Sequence, residues 1–331
     1  MSQFNKFKKA VEESTHVVVV QAGNVDGDSV ASSLALEEIL GEMGKTVTMY
    51  APTEVPKYLR YLKGWDRIDI QFPNQVDLII IVDTVSDTLL SKPLETPGVR
   101  HIFETVPVYA LDHHVDVESS LSFDHEVVVS NTAVATGELI ADICKEFDWP
   151  VNAQVANSLY AAIMSDSLGL TTEATTADSY RTVAWLMEKG AVPSELETAR
   201  RELMKKPREI LIYKAKLIER IDYYLDGALA VIHIPWEEIA EYSDKYNPSM
   251  LVLDEMRLVE GVEVAIAIKT YPDGKVTGKI RANAPVAHTV AGYFGGGGHP
   301  YSSGFRAYDE FSAILHEVVE ATDKALKEAR S

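Results

Sequence analysis

Carboxylates and imidazoles recur in this chain where apolar runs end. Asp26 and Asp28 stand one residue apart in Asn24-Val25-Asp26-Gly27-Asp28, directly after the apolar run at 16–21 and before a helical pattern. The run at 77–82 ends at Asp83, the run at 106–111 ends at Asp112-His113-His114, and a helical pattern at 153–164 delivers Ser165-Asp166-Ser167. Clustered carboxylates cost desolvation and mutual repulsion unless something positive lies between them. A mixed carboxylate and imidazole donor set suits Mn, with Mg the other ion that fits. Two such ions roughly 4 Å apart activate a water and clamp a phosphoryl oxygen, the pattern of phosphoester cleavage. Each piece alone is ambiguous: a histidine is most often a satisfied core or surface residue, and Asp112 also reads as a turn or helix-cap residue. Only the joint constellation at the ends of strands and helices points to a metal site.

The elements that must position these residues follow from periodicity. Continuous apolar strands at 16–21, 77–82 and 106–111, with a short β-type run at 46–51, alternate with helical segments. That alternation predicts an α/β fold with a parallel sheet covered on both faces. In such sheets the ligand lies beyond the carboxyl ends of the strands, so Asp26, Asp28, Asp83, Asp112, His113 and His114 should converge there. A helix is expected over 29–44, with Gly44 as its cap. Another is expected over 134–147, after the turn Ser130-Asn131-Thr132, and reads as purely structural. A helix at 177–189 closes the first domain, and Gly190-Ala191-Val192-Pro193 is a break. The charged helical stretch 195–222, interrupted by Pro207, reads as a connector. The expected division is 1–190, 191–222 as helical connector and 223–331. The last is a smaller mixed α/β domain with strands at 228–234, 262–270 and 275–281, a hairpin turn at 271–274, short helix 236–242 and a closing helix at 310–327.

Composition narrows the function. A chain of 331 residues with 46% hydrophobic and 24% charged content suits two soluble globular domains. No apolar run approaches the roughly 20 residues of a membrane span. The lysine-bearing start is followed by Val11-Glu12-Glu13 rather than an apolar leader, which points to the cytoplasm. A net charge of -19 excludes a broad surface for long nucleic acid, which needs many Lys and Arg contacts. Short or small anionic substrates remain, met by metals or a few arginines. The single cysteine, Cys144, excludes an intrachain disulfide and a thiolate cluster and reads as a buried helical thiol.

The second domain carries Gly295-Gly296-Gly297-Gly298-His299, followed by Tyr301-Ser302-Ser303-Gly304. The run reads either as a flexible loop or as backbone N–H groups approaching an anionic ligand ahead of a helical segment. Taken with VDGD at 25–28, IIIVD ending at Asp83, LDHH at 111–114 and MSDS around Asp166, it makes the chain resemble a DHH phosphoesterase with the DHH-associated C-terminal domain. The resemblance spans nearly the whole chain. It is to the branch that degrades very short RNA and dephosphorylates 3′-phosphoadenosine 5′-phosphate.

That resemblance implies a Mn-dependent phosphoesterase. Asp26 and Asp83 would bind one Mn, and Asp28, Asp83, Asp166 and His113 the second, with Asp83 bridging. Asp112 and His114 would orient ligands or meet the substrate phosphate. Gly296, Gly297, Gly298 and His299 would form a substrate clamp with Arg281, which could equally pair with a surface acid. Ser302 and Ser303 stand where the family has small alanines. The family also has a histidine ligand four residues before its first aspartate, where this chain has Ala22, and a proline where it has Val25. The alternative reading from Ala22 is a nucleotide-binding or sensing protein on the same fold. The resemblance also suggests a homodimer.

Overall fold

The computed structural model describes residues 2–114, 119–130, 132–243 and 246–330. Its chain divides into two compact units, Met1–Lys205 and Lys206–Ser331. Asn131 of the expected turn lies outside the described residues.

The first unit is built on five parallel strands, β1 (His16–Val20), β2 (Thr46–Tyr50), β3 (Leu78–Val82), β4 (Val108–Asp112) and β5 (Glu126–Val129), in the order β2-β1-β3-β4-β5. Its helices are α1 (Gln3–Glu13), α2 (Gly27–Glu42), α3 (Ser91–Glu95), α4 (Val99–Thr105), α5 (Thr136–Phe147), α6 (Ala153–Asp166), α7 (Ala177–Glu188) and α8 (Pro193–Leu203). Alternate residues serve opposite faces. Val17, Val19, Leu78, Ile80 and Val82 pack with Leu36 and Ile39 of α2, Leu139 of α5 and Leu159 of α6. Val18, Val20, Ile79 and Ile81 pack with Leu94, Val99 and Phe103 from the α3–α4 side. Burial on both faces is why these strands read as unbroken apolar runs. Each such side chain contributes roughly 1.5–3 kcal/mol, which holds the strand ends in place against the charge gathered there.

Strand order, which apolar runs cannot supply, decides where a ligand goes. The chain leaves β1 for β2 on one side and reaches β3 on the other, so the switch point lies between β1 and β3. Asp26 and Asp28 follow the first of these strands and Asp83 the second.

The entry to α2 is fixed locally. Asp26 is the N-cap, its carboxylate accepting from Ser29 N at 2.9 Å while Ser29 Oγ accepts from Asp26 N at 3.0 Å, a reciprocal capping box. Close helix contacts then bring α2, α5 and α6 together. A methyl group at Gly137 would overlap Cβ of Ala162, and one at Gly27 would overlap Oγ of Ser165. Only residues without a side chain let α5 and the start of α2 sit this close to α6.

The second unit holds a six-stranded mixed sheet of β6 (Asp222–Tyr224), β7 (Leu229–Ile234), β8 (Val264–Thr270), β9 (Lys275–Ala282), β10 (Gly297–His299) and β11 (Ser302–Tyr308), in the order β10-β11-β9-β8-β7-β6. Only the β7–β8 pair among them is parallel. One face packs on α12 (Ala287–Tyr293) and α13 (Phe311–Ala329). The other packs on α9 (Arg208–Ile218), α10 (Trp236–Tyr242) and α11 (Leu253–Arg257). The stretch expected as a connector is thus two helices, α8 and α9, one in each unit.

Gly137→Val should destabilise the chain by about 1–3 kcal/mol, because the branched side chain must push α5 away from Ala162. Urea unfolding of the variant beside the parent checks this; an unchanged midpoint would show that the helix contact is not tight.

Candidate metal centre and active site

Asp28 sits in the first turn of α2 and is fully buried. Its carboxylate accepts from Thr136 N at 2.7 Å, Gly137 N at 3.1 Å and Ser32 Oγ at 2.9 Å. The first two donors are the N-terminal amides of α5, the positive end of that helix. Burial, and then the charges of Asp83 and Asp166, push the Asp28 carboxyl well above the carboxylate range; His113 and the Thr136 amide oppose them. The helix expected to be purely structural therefore supplies donors to the site. Backbone amides leave no mark in a side-chain pattern, which is why Thr136 and Gly137 escaped sequence reasoning.

Asp83 follows β3 in a left-handed conformation, φ 62°, which aspartate tolerates better than most residues. Its amide donates to Leu111 O at 2.9 Å and its carboxylate accepts from Thr136 Oγ1 at 3.3 Å. Burial raises its carboxyl to about 6, with Asp26 and Asp166 adding to the rise and His113 opposing it. Asp166 is the last residue of α6.

His113 joins these groups. Its Nε2 lies 3.1 Å from Asp166 Oδ2, 3.5 Å from Asp83 Oδ1 and 4.0 Å from Asp28 Oδ2. Although near, these oxygens lie off the N–H direction, so this buried nitrogen makes no hydrogen bond. Burial acts to lower its basicity, yet the carboxylates of Asp166, Asp83 and Asp28 raise it to about 10. One atom each of Asp28, His113 and Asp166 falls within 4.8 Å of the others, and so does one atom each of Asp83, Asp112, His113 and His114. Carboxylates facing a buried imidazole with an unsatisfied nitrogen are what a divalent cation needs, and the donor set fits a Mn or Mg ion.

Asp112, at the end of β4, is buried and accepts from His114 N at 3.0 Å, with His114 Nδ1 at 2.6 Å from the same oxygen. That contact raises His114 above its ordinary value, against burial and the neighbouring His113. Asp112 thereby orients a half-exposed imidazole at the edge of the site.

Asp26 stands apart from these two groupings. It is exposed, and one carboxylate oxygen caps α2. Ala22 is buried, and Gln21 beside it is fully buried, its amide without a hydrogen-bond partner among the described residues.

In the second unit the glycine run is neither a free loop nor a helix entry. Gly297–His299 form β10, the edge strand, which pairs with β11. A methyl on Gly296 or Gly298 would overlap the β11 backbone, and Gly298 has φ 140°. The pairing His299↔Ser302 and Ser302↔Arg281 lines up three polar residues across β10, β11 and β9, with Arg281 Nη1 donating to Ser302 Oγ at 2.5 Å. Ser303 is buried, and its hydroxyl donates to His299 O at 2.8 Å.

Residues 16–163 match the model of the DHH family, N-terminal domain. That match lies within the first unit. The chain is also similar to a protein of Thermus thermophilus named bifunctional oligoribonuclease and PAP phosphatase NrnA, 26% identical over 305 residues, covering 89% of this chain and 85% of that protein. A Bacillus subtilis protein of the same name is 21% identical over 298 residues, covering 88% and 90%. Among solved structures, an exopolyphosphatase-related protein from Bacteroides fragilis superposes with a TM-score of 0.83 at 18% identity, covering 99% of this chain and 98% of that one. That likeness spans the fold of both units.

The raised groups fix a pH dependence. Asp83, at about 6, binds more protons folded than unfolded between its ordinary 3.8 and 6, which favours the fold at lower pH. His113, at about 10, contributes stability present below 6.5 and lost as pH rises to 10. Both signs agree. In EDTA the melting temperature should fall as pH rises from about 6 to about 10, and saturating Mn should flatten that slope. A slope unaffected by Mn in thermal melts would mean that the ion does not bind at these residues.

Proposed function

We propose that this hydrolase cleaves the phosphoester bonds of very short oligoribonucleotides and removes the 3′-phosphate of 3′-phosphoadenosine 5′-phosphate, with Mn as its cofactor and Mg as a substitute. The observation that carries the reading is the convergence of Asp28, Asp83 and Asp166 on His113 beyond the carboxyl ends of parallel strands. The names of the Thermus and Bacillus relatives supply the substrate class.

Asp28, Asp83, His113 and Asp166 would hold one cation, and Asp26 with Asp83 a second. When bound, such ions supply Lewis acidity for a phosphoryl oxygen and for the attacking water. The chain's own residues do the rest. Thr136 and Gly137 fix the Asp28 carboxylate through backbone amides, so it needs no reorganisation on metal arrival. Asp112 keeps His114 oriented and inclined to carry a proton, placing a donor N–H where negative charge develops on the phosphoryl group and the leaving oxygen. In the second unit, His299, Ser302 and Arg281 form a polar row beside the glycine strand, suited to a terminal phosphate. The net charge of -19 restricts substrates to those whose few phosphates these groups can meet.

Purified chain incubated with Mn should release mononucleotides from di- to pentaribonucleotides and inorganic phosphate from 3′-phosphoadenosine 5′-phosphate. His113→Ala should lower either rate by at least about a hundredfold, because it removes a metal ligand shared by both groupings. A folded, Mn-loaded protein that turns over neither substrate sinks the proposal. Restoring the imidazole by Ala22→His should tighten Mn binding about tenfold or more, read by titration calorimetry, since it adds the donor that the family carries at that position. Unchanged Mn stoichiometry and affinity would count against a second cation near Asp26.

A further inference from the structure

The first unit contains a cavity of about 690 Å³ lined in part by Asp26 and Gly27, which adjoin the buried Asp28 in sequence. Three tyrosines line it, Tyr58 and Tyr61 from the segment after β2 and Tyr160 from α6. Arg200 of α8 also lines it, in bidentate contact with Glu197 at 2.7 and 3.0 Å. Leu168 stands at the cavity beyond the end of α6, two residues past Asp166.

The backbone there is unusual. Leu168, Gly169 and Leu170 have φ of 49°, 74° and 66°, so two leucines in succession around a glycine adopt the left-handed conformation that branched side chains avoid. Leu170 is buried in the core of the sheet, whereas Leu168 is 74% exposed. The turn is held by buried Ser167, whose hydroxyl donates to Ile163 O at 2.6 Å and accepts from Leu170 N at 2.8 Å. Such strain persists only where the surrounding structure over-determines it, and it gathers at binding and catalytic positions. Here it keeps an apolar side chain in water at the cavity wall, two residues past Asp166.

We propose that this cavity takes the nucleobase of the nucleotide whose phosphate meets the metal ligands, stacked on the tyrosines, with Leu168 closing over its face. The inference rests on the phosphoesterase reading and adds how the substrate is told from a bare phosphate ester. With Asp26 given to a cation, Glu197 and Arg200 cancel, so the remaining walls carry no net charge to draw a phosphate in and suit a neutral ring. Tyrosine faces stack any base, so the pocket would favour nucleotides without selecting among sequences. The Arg200–Glu197 pair offers both donors and an acceptor to a base edge.

The test uses the full chain and a diribonucleotide carrying 2-aminopurine, whose fluorescence is quenched by stacking, titrated in EDTA so that no turnover intervenes. The parent should quench the probe. Tyr160→Leu, which keeps an apolar side chain but removes the π face, should weaken binding roughly tenfold. Leu168→Gly should do likewise while relieving the left-handed strain, so its melting temperature should equal or exceed the parent's. In parallel, the ratio of kcat/KM for ApA over an analogue abasic at one position should fall about tenfold in both variants with Mn. Turnover by the parent, with probe binding and that ratio unchanged in the variants, would overturn the pocket and leave the phosphoesterase reading standing. Weakened probe binding in the variants of a chain that turns over no phosphoester would sustain the pocket and sink that reading. Absence of quenching in the parent overturns the pocket outright.

Discussion

The first unit is organised around the cost of a carboxylate with no access to water. Asp28 is fully buried beside Asp83 and Asp166, where like charges repel in a medium that screens them poorly. Three partial remedies are built in: the amides at the start of α5, the hydroxyl of Ser32 and the imidazolium of His113. Each fixes the geometry of the elements that supply it. The α5 amides can reach Asp28 only because Gly137 lets α5 lie against α6, and α6 in turn carries Asp166. A remedy that satisfies hydrogen bonds leaves the net charge unanswered, and a divalent cation answers it. The apolar sheet beneath, buried on both faces, supplies the stability that tolerates the arrangement.

His113 works differently from the other histidine of its pair. Its Nε2 faces carboxylates without a well-aligned hydrogen bond, so in the metal-free chain it is held by charge alone. A cation held there would replace its proton, which would couple metal uptake to proton release. His114 is instead fixed by a short contact to Asp112 and remains half exposed. Two adjacent residues of one type thus differ in what each ring nitrogen faces, and the proposed division between holding an ion and meeting substrate follows from that difference.

Much of this was legible in the sequence because it is written in side chains. The apolar runs ending at Asp83 and Asp112 marked strands whose ends carry the site, and β3 and β4 are where those runs placed them. Strand order was not legible, since apolar runs buried on both faces look alike whichever neighbours they pair with. The donors from α5 were hidden because backbone amides have no residue signature. Asp26 was read only as a ligand, although Asp26-x-x-Ser29 also spells a capping pair, and the structure realises it. The glycine run read as a flexible loop or as an anion-approaching segment, not as a strand, because glycine is a poor strand former. Its pairing with β11 depends on that same lack of a side chain, since any Cβ at Gly296 or Gly298 would meet the neighbouring backbone.

The departure at Ala22 is more contained than its position suggests. Neither grouping around His113 draws on a residue before Asp28: one uses Asp28, His113 and Asp166, the other Asp83, Asp112, His113 and His114. These donors ride on α2, α6 and the ends of β3 and β4. Asp26 belongs to a different environment, exposed and engaged in capping. An imidazole missing from position 22 would therefore bear on what Asp26 could hold, while neither grouping around His113 draws on it. On the proposed reading, a cation held by the buried cluster would not depend on position 22, whereas one held by Asp26 would.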